Sequence, residues 1–563
     1  MINAEDIRQP ANGFSNYNVP VKGVPELSIP VIHPGLPKNT ENVPFDIYDY
    51  EMLFRDEGTK KLMREGNTIG CFYIESPGMR SLLQRLDCDT FEMLTAASSV
   101  IRPGVAESGM MQEFVERHKN PERRKYLVAE MKIHLGETYG VMIYQEDVIK
   151  VAHHIAGLTL EEADLLRRAM SGKMRSREAM NRLAKRFTES CAGKNLSESI
   201  TKELWRQIES FAGYAFCKAH SASFALLSFQ VAYLKVHYPA EFMASVLSNR
   251  GGYYSPAVYV QECKRMGLRV LLPCINHSIY DYSADAKTVR IGFVEVKNLP
   301  GKTAERISAE REAGGVFKSL QDFLARTGAG YEESSVLIRC GAMDAFGKTR
   351  PTLMRLLDIY INHRRLIGNS NGSLFAEESL KLGDEIETDT DYTPEEKCAI
   401  EYETFGYMVT RHPLEFYGKI TARKDIVKAA DLKKYDGRRI KMLGWYMTSK
   451  RIKTKKGEIM KFLSLEDLTG TFEAVIFPKV YRKCAELTIS MGPYLIEGIA
   501  DIKNGNNITV EKLAVLTSQK ALSVTEKDSA ENKYYGEVEK FDEEEIGLVE
   551  TLDREKLRRA YVE

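Results

Sequence analysis

The chain has 563 residues, 43% of them hydrophobic, and its 79 basic residues balance its 79 acidic ones. That length exceeds what one hydrophobic core serves and points to roughly three to five domains. No apolar run approaches the ~20 residues of a membrane span and no charged-then-apolar signal follows Met1, so neither bilayer insertion nor export is indicated and the cytoplasm is the expected location.

Residues 1–42 are rich in Pro, Asn and Gly without a sustained period and read as a loose leader. Over 66–250 the pattern becomes helical. Thr159 and Glu162 form a T-x-x-E capping box, after which Leu160, Ala163, Leu165 and Leu166 are expected on one side and Asp164, Arg167 and Arg168 on the other. Between Arg167 and Arg186 eight bases meet one acid. Adjacent guanidiniums at Arg167 and Arg168, with Lys173, offer paired N–H forks suited to a polyphosphate; a merely solvated helix face is the plain alternative. A second helix, "SASFALLSFQVAYLKVHY", runs from Ser221 to a stop at Pro239 and is apolar almost all round. Lys218 and His220 precede it, where the positive helix end makes a natural seat for an anion.

Residues 251–290 read as a mixed strand and helix connector. "VKNLPGKTAERI" (296–307) then sets a tight turn before a helix, the pattern of a helix-hairpin-helix whose backbone N–H groups hold a DNA phosphate. A second such turn surrounds Gly341 and Gly347 in "LIRCGAMDAFGKTRPTLM" (337–354). Lys297, Gly301, Lys302, Gly347 and Lys348 are the candidate DNA contacts. Residues 367–430 read as a linker whose polar part holds one apolar island, "NGSLF" (371–375), suited to docking. Five short alternating segments over 431–520 predict a small barrel of the OB type. Lys450, Arg451, Lys453, Lys455 and Lys456 would project from its mouth, and Trp445, Tyr446, Phe462 and Phe472 could stack bases there, or else be core aromatics under a solvated hairpin. Residues 521–563 form an acidic tail. The fold class is therefore multidomain, mainly helical first and all-β at the barrel.

Metal-dependent phosphoryl transfer needs clustered carboxylates. Three close aspartate pairs occur, Asp46/Asp49, Asp87/Asp89 and Asp389/Asp391, and each reads better as a turn or cap. No P-loop, G-x-G-x-x-G, G-x-S-x-G or H-E-x-x-H is present, so no catalytic residue and no metal ligand is assigned. Nine cysteines without a C-x-x-C pair read as buried free thiols.

"GCFYIESPGMRSLLQRL" (70–86), "IRPG" (101–104), "GETYGVMIYQEDVI" (136–149), "EADLLRRAMSGK" (162–173), "FAGYAFCKAHSASFALLSFQVAYLKVHYPAEFM" (211–243) and "RHPL" (411–414) resemble, in order, the bacterial replicative DNA polymerase III alpha subunits, the C-family polymerases. The resemblance implies a fingers domain over 66–250, a connector and tandem helix-hairpin-helix region over 251–366, and an OB domain near the single-stranded template. It implies that Arg167, Arg168 and Lys173 lie against the triphosphate of a dNTP, with Lys218 and His220 from the family's F-N-K-S-H motif. Here Cys217 replaces its Asn and Ala219 its Ser. A Q-x-S-L-F sliding-clamp peptide maps onto Asn371, Ser373, Leu374 and Phe375, with Asn371 in place of Gln and weaker clamp binding implied. Residues 1–65 would be leader and palm-to-fingers connector. In the family a PHP domain and a palm, whose aspartates hold two Mg²⁺ ions, precede the matched segment. The expectation is that this chain binds primer-template but needs palm aspartates in trans to extend it; the alternative is a non-catalytic DNA-binding and clamp-tethering module.

Overall fold

The computed structural model describes residues 46–101, 109–170, 177–209, 217–367, 389–454, 456–503 and 505–516. Up to Asn249 the described chain is helical. The helices that carry or brace the candidate site are α1 (Pro77–Arg85), α2 (Phe91–Val100), α3 (Gln145–Lys150), α4 (Leu160–Met170), α5 (Lys218–His237) and α6 (Pro256–Arg265). The expected capping box opens α4: Thr159 Oγ1 accepts the Glu162 N–H at 3.2 Å, and Glu162 accepts the Thr159 N–H at 2.9 Å. Its buried face is narrower than expected. Ala163, Leu166, Ala169 and Met170 are buried, whereas Leu160 and Leu165 stand exposed. Each residue turns a helix by about 100°, so Leu165 cannot share the stripe that Leu166 occupies, and Leu160 sits at the helix start.

Helix α5 begins at Lys218, three residues before the apolar run, so Lys218 and His220 belong to its first turn. It packs against α2 and the helix Glu57–Arg64, burying Ala225, Phe229 and Ala232. One buried residue on it is a lysine. The Lys235 Nζ donates to the carbonyls of Asn67 (2.8 Å) and Ile69 (2.7 Å) and to Glu262 of α6 (2.7 Å).

A three-stranded sheet follows, with β1 (Arg269–Leu271), β2 (Ser283–Asp285) and β3 (Thr288–Arg290) in the order β1-β3-β2. Helices α7 (Gly301–Gly314), α8 (Tyr331–Arg339) and α9 (Arg350–Ile367), with the helix Leu320–Thr327 between the first two, occupy the stretch expected as helix-hairpin-helix. Part of the stretch expected as linker is packed structure: α10 (Pro394–Phe405) opens on a Thr393/Glu396 capping box and buries Tyr402 and Phe405. Tertiary packing overrides composition there, because apolar residues spaced along an acidic helix still make one buried face. Among the described residues, one contiguous buried cluster runs from Met63 to Val409 and takes in Met447, so the helices before Arg250 and those after the three-stranded sheet share a core; a second cluster fills the barrel.

That barrel closes from β4 (Arg439–Lys453), β5 (Ile459–Glu466), β6 (Thr471–Ile476), β7 (Tyr494–Asp501) and β8 (Asn507–Val515) in the order β4-β5-β6-β8-β7. Long β4 serves two partners, β7 up to Gly444 and β5 from Trp445, with a register shift between Tyr446 and Thr448. The five strands are those the alternation predicts, and they close into a barrel consistent with an OB-type fold. The barrel is fixed to the helical body by buried charge: Arg265 of α6 pairs with Glu262 at 3.1 Å and with Glu466 of β5 at 2.7 Å, and Glu466 lies 3.6 Å from His412 of the "RHPL" segment. Arg80 of α1 adds a 2.8 Å bond to Thr471 of β6. All nine cysteines are free, seven of them buried. No helix among the described residues is long and apolar enough to cross a membrane.

Candidate nucleotide and nucleic-acid interface

Short α3 is the hub that brings the predicted cations together. Gln145 accepts from Arg167 Nη1 at 3.0 Å, and its neighbour Glu146 accepts the Lys218 backbone N–H at 3.0 Å, so α4 and the start of α5 meet at one helix end. The arginines reach the surface, Arg168 more than Arg167, but both are already paired with a carboxylate. Asp164 takes Arg167 through Nε (2.9 Å) and Nη2 (2.8 Å), and takes Arg168 through Nε (2.7 Å). Those bonds, Arg167's foremost, hold the Asp164 carboxyl below its ordinary range. Burial differs within the pair, Arg167 being 26% exposed and Arg168 61%. The Lys218 Nζ lies 2.7 Å from Glu137, which also faces Lys150 at 3.7 Å, and sits over the Tyr144 ring. His220 is exposed, edge-on to Phe224 at 4.4 Å, and its backbone N–H is capped by the Cys217 Sγ at 3.4 Å. Lys173 lies outside the described residues.

Beneath the cluster Asp147 is fully buried. Its Oδ2 accepts the Ile143 and Tyr144 N–H groups at 3.0 Å each, while Oδ1 has no hydrogen-bond partner and lies 3.5 Å from Lys150. Burial pushes its carboxyl up to about 6 against those bonds. Sequence reading missed Glu137, Gln145, Glu146 and Asp147 as members of this cluster. The signal was present in "YQEDV", where an acidic pair follows an apolar run, but it acquires meaning only once α4 and α5 arrive from elsewhere.

The two hairpins are built differently. In the first, α7 starts directly at Gly301 after Pro300, and no side chain caps it. Lys297 and Lys302 are exposed beside that helix end, although the Lys297 N–H is already given to the Thr404 carbonyl at 3.1 Å. The second runs from α8 to α9 and is pinned by Arg350, which is buried. Its Nε and Nη2 fork onto Asp344 at 3.0 and 2.8 Å, and its Nη1 donates to the Arg339 carbonyl at 3.0 Å. Gly341, at φ +88°, lies so close to this guanidinium that a Cβ would sit 2.2 Å from Nη2. Gly347, at φ +70°, ends the turn and leaves Lys348 exposed.

On the barrel, Lys450, Arg451, Lys453 and Lys456 are exposed along the end of β4 and its turn; Lys455 lies outside the described residues. Of the two readings of the aromatics, core packing beneath the hairpin holds for most of them. Phe472 is buried in the barrel core, Tyr446 packs partly against that core, and Trp445 packs on the satellite cluster of Leu414 and Tyr417. Phe462, paired with Lys450 across β4 and β5, is the one of the four on the outward strand positions beside the basic hairpin. Lys461, close to the basic hairpin in sequence, is no part of its surface: it shares parity with core residues Leu463 and Leu465, and its Nζ donates to the Thr488 carbonyl at 2.7 Å. Asn371, Ser373, Leu374 and Phe375 lie outside the described residues.

Among the described residues no group of three His, Cys, Asp or Glu side chains could hold a metal ion. The close aspartate pairs are used otherwise: Asp49 caps a helix, Asp89 pairs with Arg64, Asp389 with Arg355 and Asp391 with Lys397. These residues do not fit a pair of Mg²⁺ ions.

Residues 36–195 match the bacterial DNA polymerase III alpha subunit finger domain, and residues 267–353 match a helix-hairpin-helix motif. The chain is 31% identical over 461 residues to the DNA polymerase III subunit alpha of Aquifex aeolicus (strain VF5), covering 81% of this chain and 38% of that protein. It is 32% identical over 464 residues to the DNA polymerase III subunit alpha of Bacillus subtilis (strain 168), covering 81% and 40%. It is also 32% identical over 514 residues to the error-prone DNA polymerase of Symbiobacterium thermophilum, covering 83% and 47%. The chain thus spans less than half the length of these curated relatives. The finger-domain match takes in Arg167 and Arg168 and stops short of Lys218 and His220, the helix-hairpin-helix match covers the paired turns, and with similarity that continues across most of its length the chain is similar to a portion of the bacterial DNA polymerase III alpha subunits.

Proposed function

We propose that this chain supplies the nucleotide-holding and DNA-tracking part of a replicative DNA polymerase. In this reading Arg167, Arg168, Lys173, Lys218 and His220 face the triphosphate of the incoming dNTP. Lys297, Gly301, Lys302, Gly347 and Lys348 hold the duplex backbone, and Lys450, Arg451, Lys453, Lys455 and Lys456 follow the single-stranded template. Asn371, Ser373, Leu374 and Phe375 meet the sliding clamp, and the setting is the cytoplasm. The catalytic carboxylates and their Mg²⁺ come from a palm-bearing segment outside this sequence. Two bound metals would stabilise the charge that builds on the transferred phosphoryl group and activate the attacking hydroxyl; the residues of this chain bind and orient the nucleotide. The observation that carries the reading is the convergence at α3, where Gln145 and Glu146 draw Arg167 and the α5 terminus to one place.

Primer extension with dNTPs and Mg²⁺ tests it, run on the chain alone and with a palm-bearing fragment of the same polymerase. Extension is expected only in the mixture, with Arg167→Ala there chiefly raising the apparent KM for dNTP. Extension by the chain alone would overturn the need for an added palm, and an unchanged KM would remove Arg167 from the triphosphate. A second reading, a DNA-binding and clamp-tethering module without nucleotide chemistry, is favoured by one observation: Asp164, Glu137 and Glu146 already satisfy Arg167, Arg168 and Lys218. DNA binding retained with no extension in either assay selects it.

A further inference from the structure

Arg167, Arg168 and Lys218 each have a carboxylate of the protein against them, but the three carboxylates are held in different ways. Asp164 sits on α4 itself, three and four residues before the arginines it grips, so helix geometry keeps it there whether or not a ligand arrives. Glu137 and Glu146 come from a separate stretch of chain. Glu146 Oε2 takes the first N–H of α5, the place where that helix end would otherwise seat a phosphate oxygen. Glu137 bridges Lys218 and Lys150 in a pair that water reaches, with Glu137 46% and Lys218 43% exposed. Such wet pairs contribute little, so a polyanion can take their place at small cost.

We propose that Glu137 and Glu146 are exchangeable counter-anions: they neutralise Lys218 and the α5 terminus while no nucleotide is bound, and the triphosphate displaces them. Asp164 stays in place and keeps both guanidiniums oriented. The two glutamates thereby set how strongly a polyphosphate is held, and by returning to their partners they favour its departure. This rests on the triphosphate reading of the site.

The test is calorimetric titration of the full chain with inorganic tripolyphosphate at fixed low ionic strength, comparing the wild type with Glu146→Gln, Glu137→Gln and the double variant. Glutamine keeps a carbonyl oxygen for the Lys218 N–H and removes only the charge, and an unchanged thermal midpoint shows that each variant is folded. The expected result is a Kd lowered roughly two- to five-fold by each substitution, with the larger gain in the double variant. Binding by the wild type with an unchanged or weaker Kd in both variants would overturn the exchange and leave the triphosphate reading standing. Failure of every protein to bind tripolyphosphate and dATP alike would overturn both.

Discussion

Around α4 the ion pairs are short and wet; between α5, α6 and the barrel they are equally short and dry. Arg168 meets Asp164 at 2.7 Å with 61% of its side chain exposed, whereas Arg265 meets Glu466 at 2.7 Å with 13% exposed and its partner at 2%. Distance alone does not separate the two sets. In the first, water competes for every charge, so a pair is cheap to break and its cations remain open to another anion. In the second, each group was stripped of water on folding, and removing one partner leaves the other without a counter-charge. One fold thus uses the same chemistry to hold a barrel in place and to keep a site exchangeable.

The sharpest way to break this comparison is Arg265→Ala, which takes the guanidinium from buried Glu466 and leaves Glu262 with Lys235 alone. A loss of ~3–5 kcal/mol is expected, read as a lowered thermal midpoint and faster proteolysis near the barrel; a loss below ~1 kcal/mol would show that the dry set is no stiffer than the wet one.

Acid should then separate two buried carboxyls. Burial alone would raise Glu262, but Lys235 and Arg265 more than reverse it and hold it at about 2, against an ordinary 4.5. Its folded value is depressed, so its stabilisation is complete above pH 4.5 and lost as the pH falls towards 2, at about 3 kcal/mol in all. Asp147 behaves oppositely. With its carboxyl raised to about 6 from 3.8, ionisation costs the fold nothing below pH 3.8, and the cost grows to about 3 kcal/mol as the pH climbs through 6. Thermal midpoints measured from pH 7 downward should therefore rise towards pH 4 and fall below it. Asp147→Asn should flatten the rise and Glu262→Gln the fall; an unaltered profile in either variant removes that residue from the explanation.

The smallest effect is expected from Arg168→Ala, whose removal should change stability by less than ~1 kcal/mol even though its bond to Asp164 is as short as that of Arg265 to Glu466. A larger loss would mean that a wet pair braces the fold as firmly as a dry one.

Much of this organisation could be read before any coordinates, for local reasons. The Thr159/Glu162 box, the Leu-Pro-Gly turn and the barrel strands are short-range patterns, and each stands where its pattern put it. Burial of Lys461 was also within reach, since strand alternation puts it on the side of Leu463 and Leu465. Lys235 was not. It reads as one more lysine near a helix end, and its partner Glu262 is 27 residues away, while Glu466 lies a further 201 residues beyond Arg265. Nothing in a local window records such pairings. The same limit explains why Arg167 and Arg168 read as open cations: Asp164 was visible beside them, but not that it would grip both at once.

Arg350 carries a consequence for recognition. By stapling the second hairpin to Asp344 and to the Arg339 carbonyl, it fixes the turn before any partner comes. On the proposed DNA-binding reading, a phosphate arriving there meets a surface whose loss of conformational freedom occurred during folding, so little entropy remains to be spent at docking. Loosening that staple should therefore shorten the lifetime of the bound duplex while leaving the charge that attracts it unchanged.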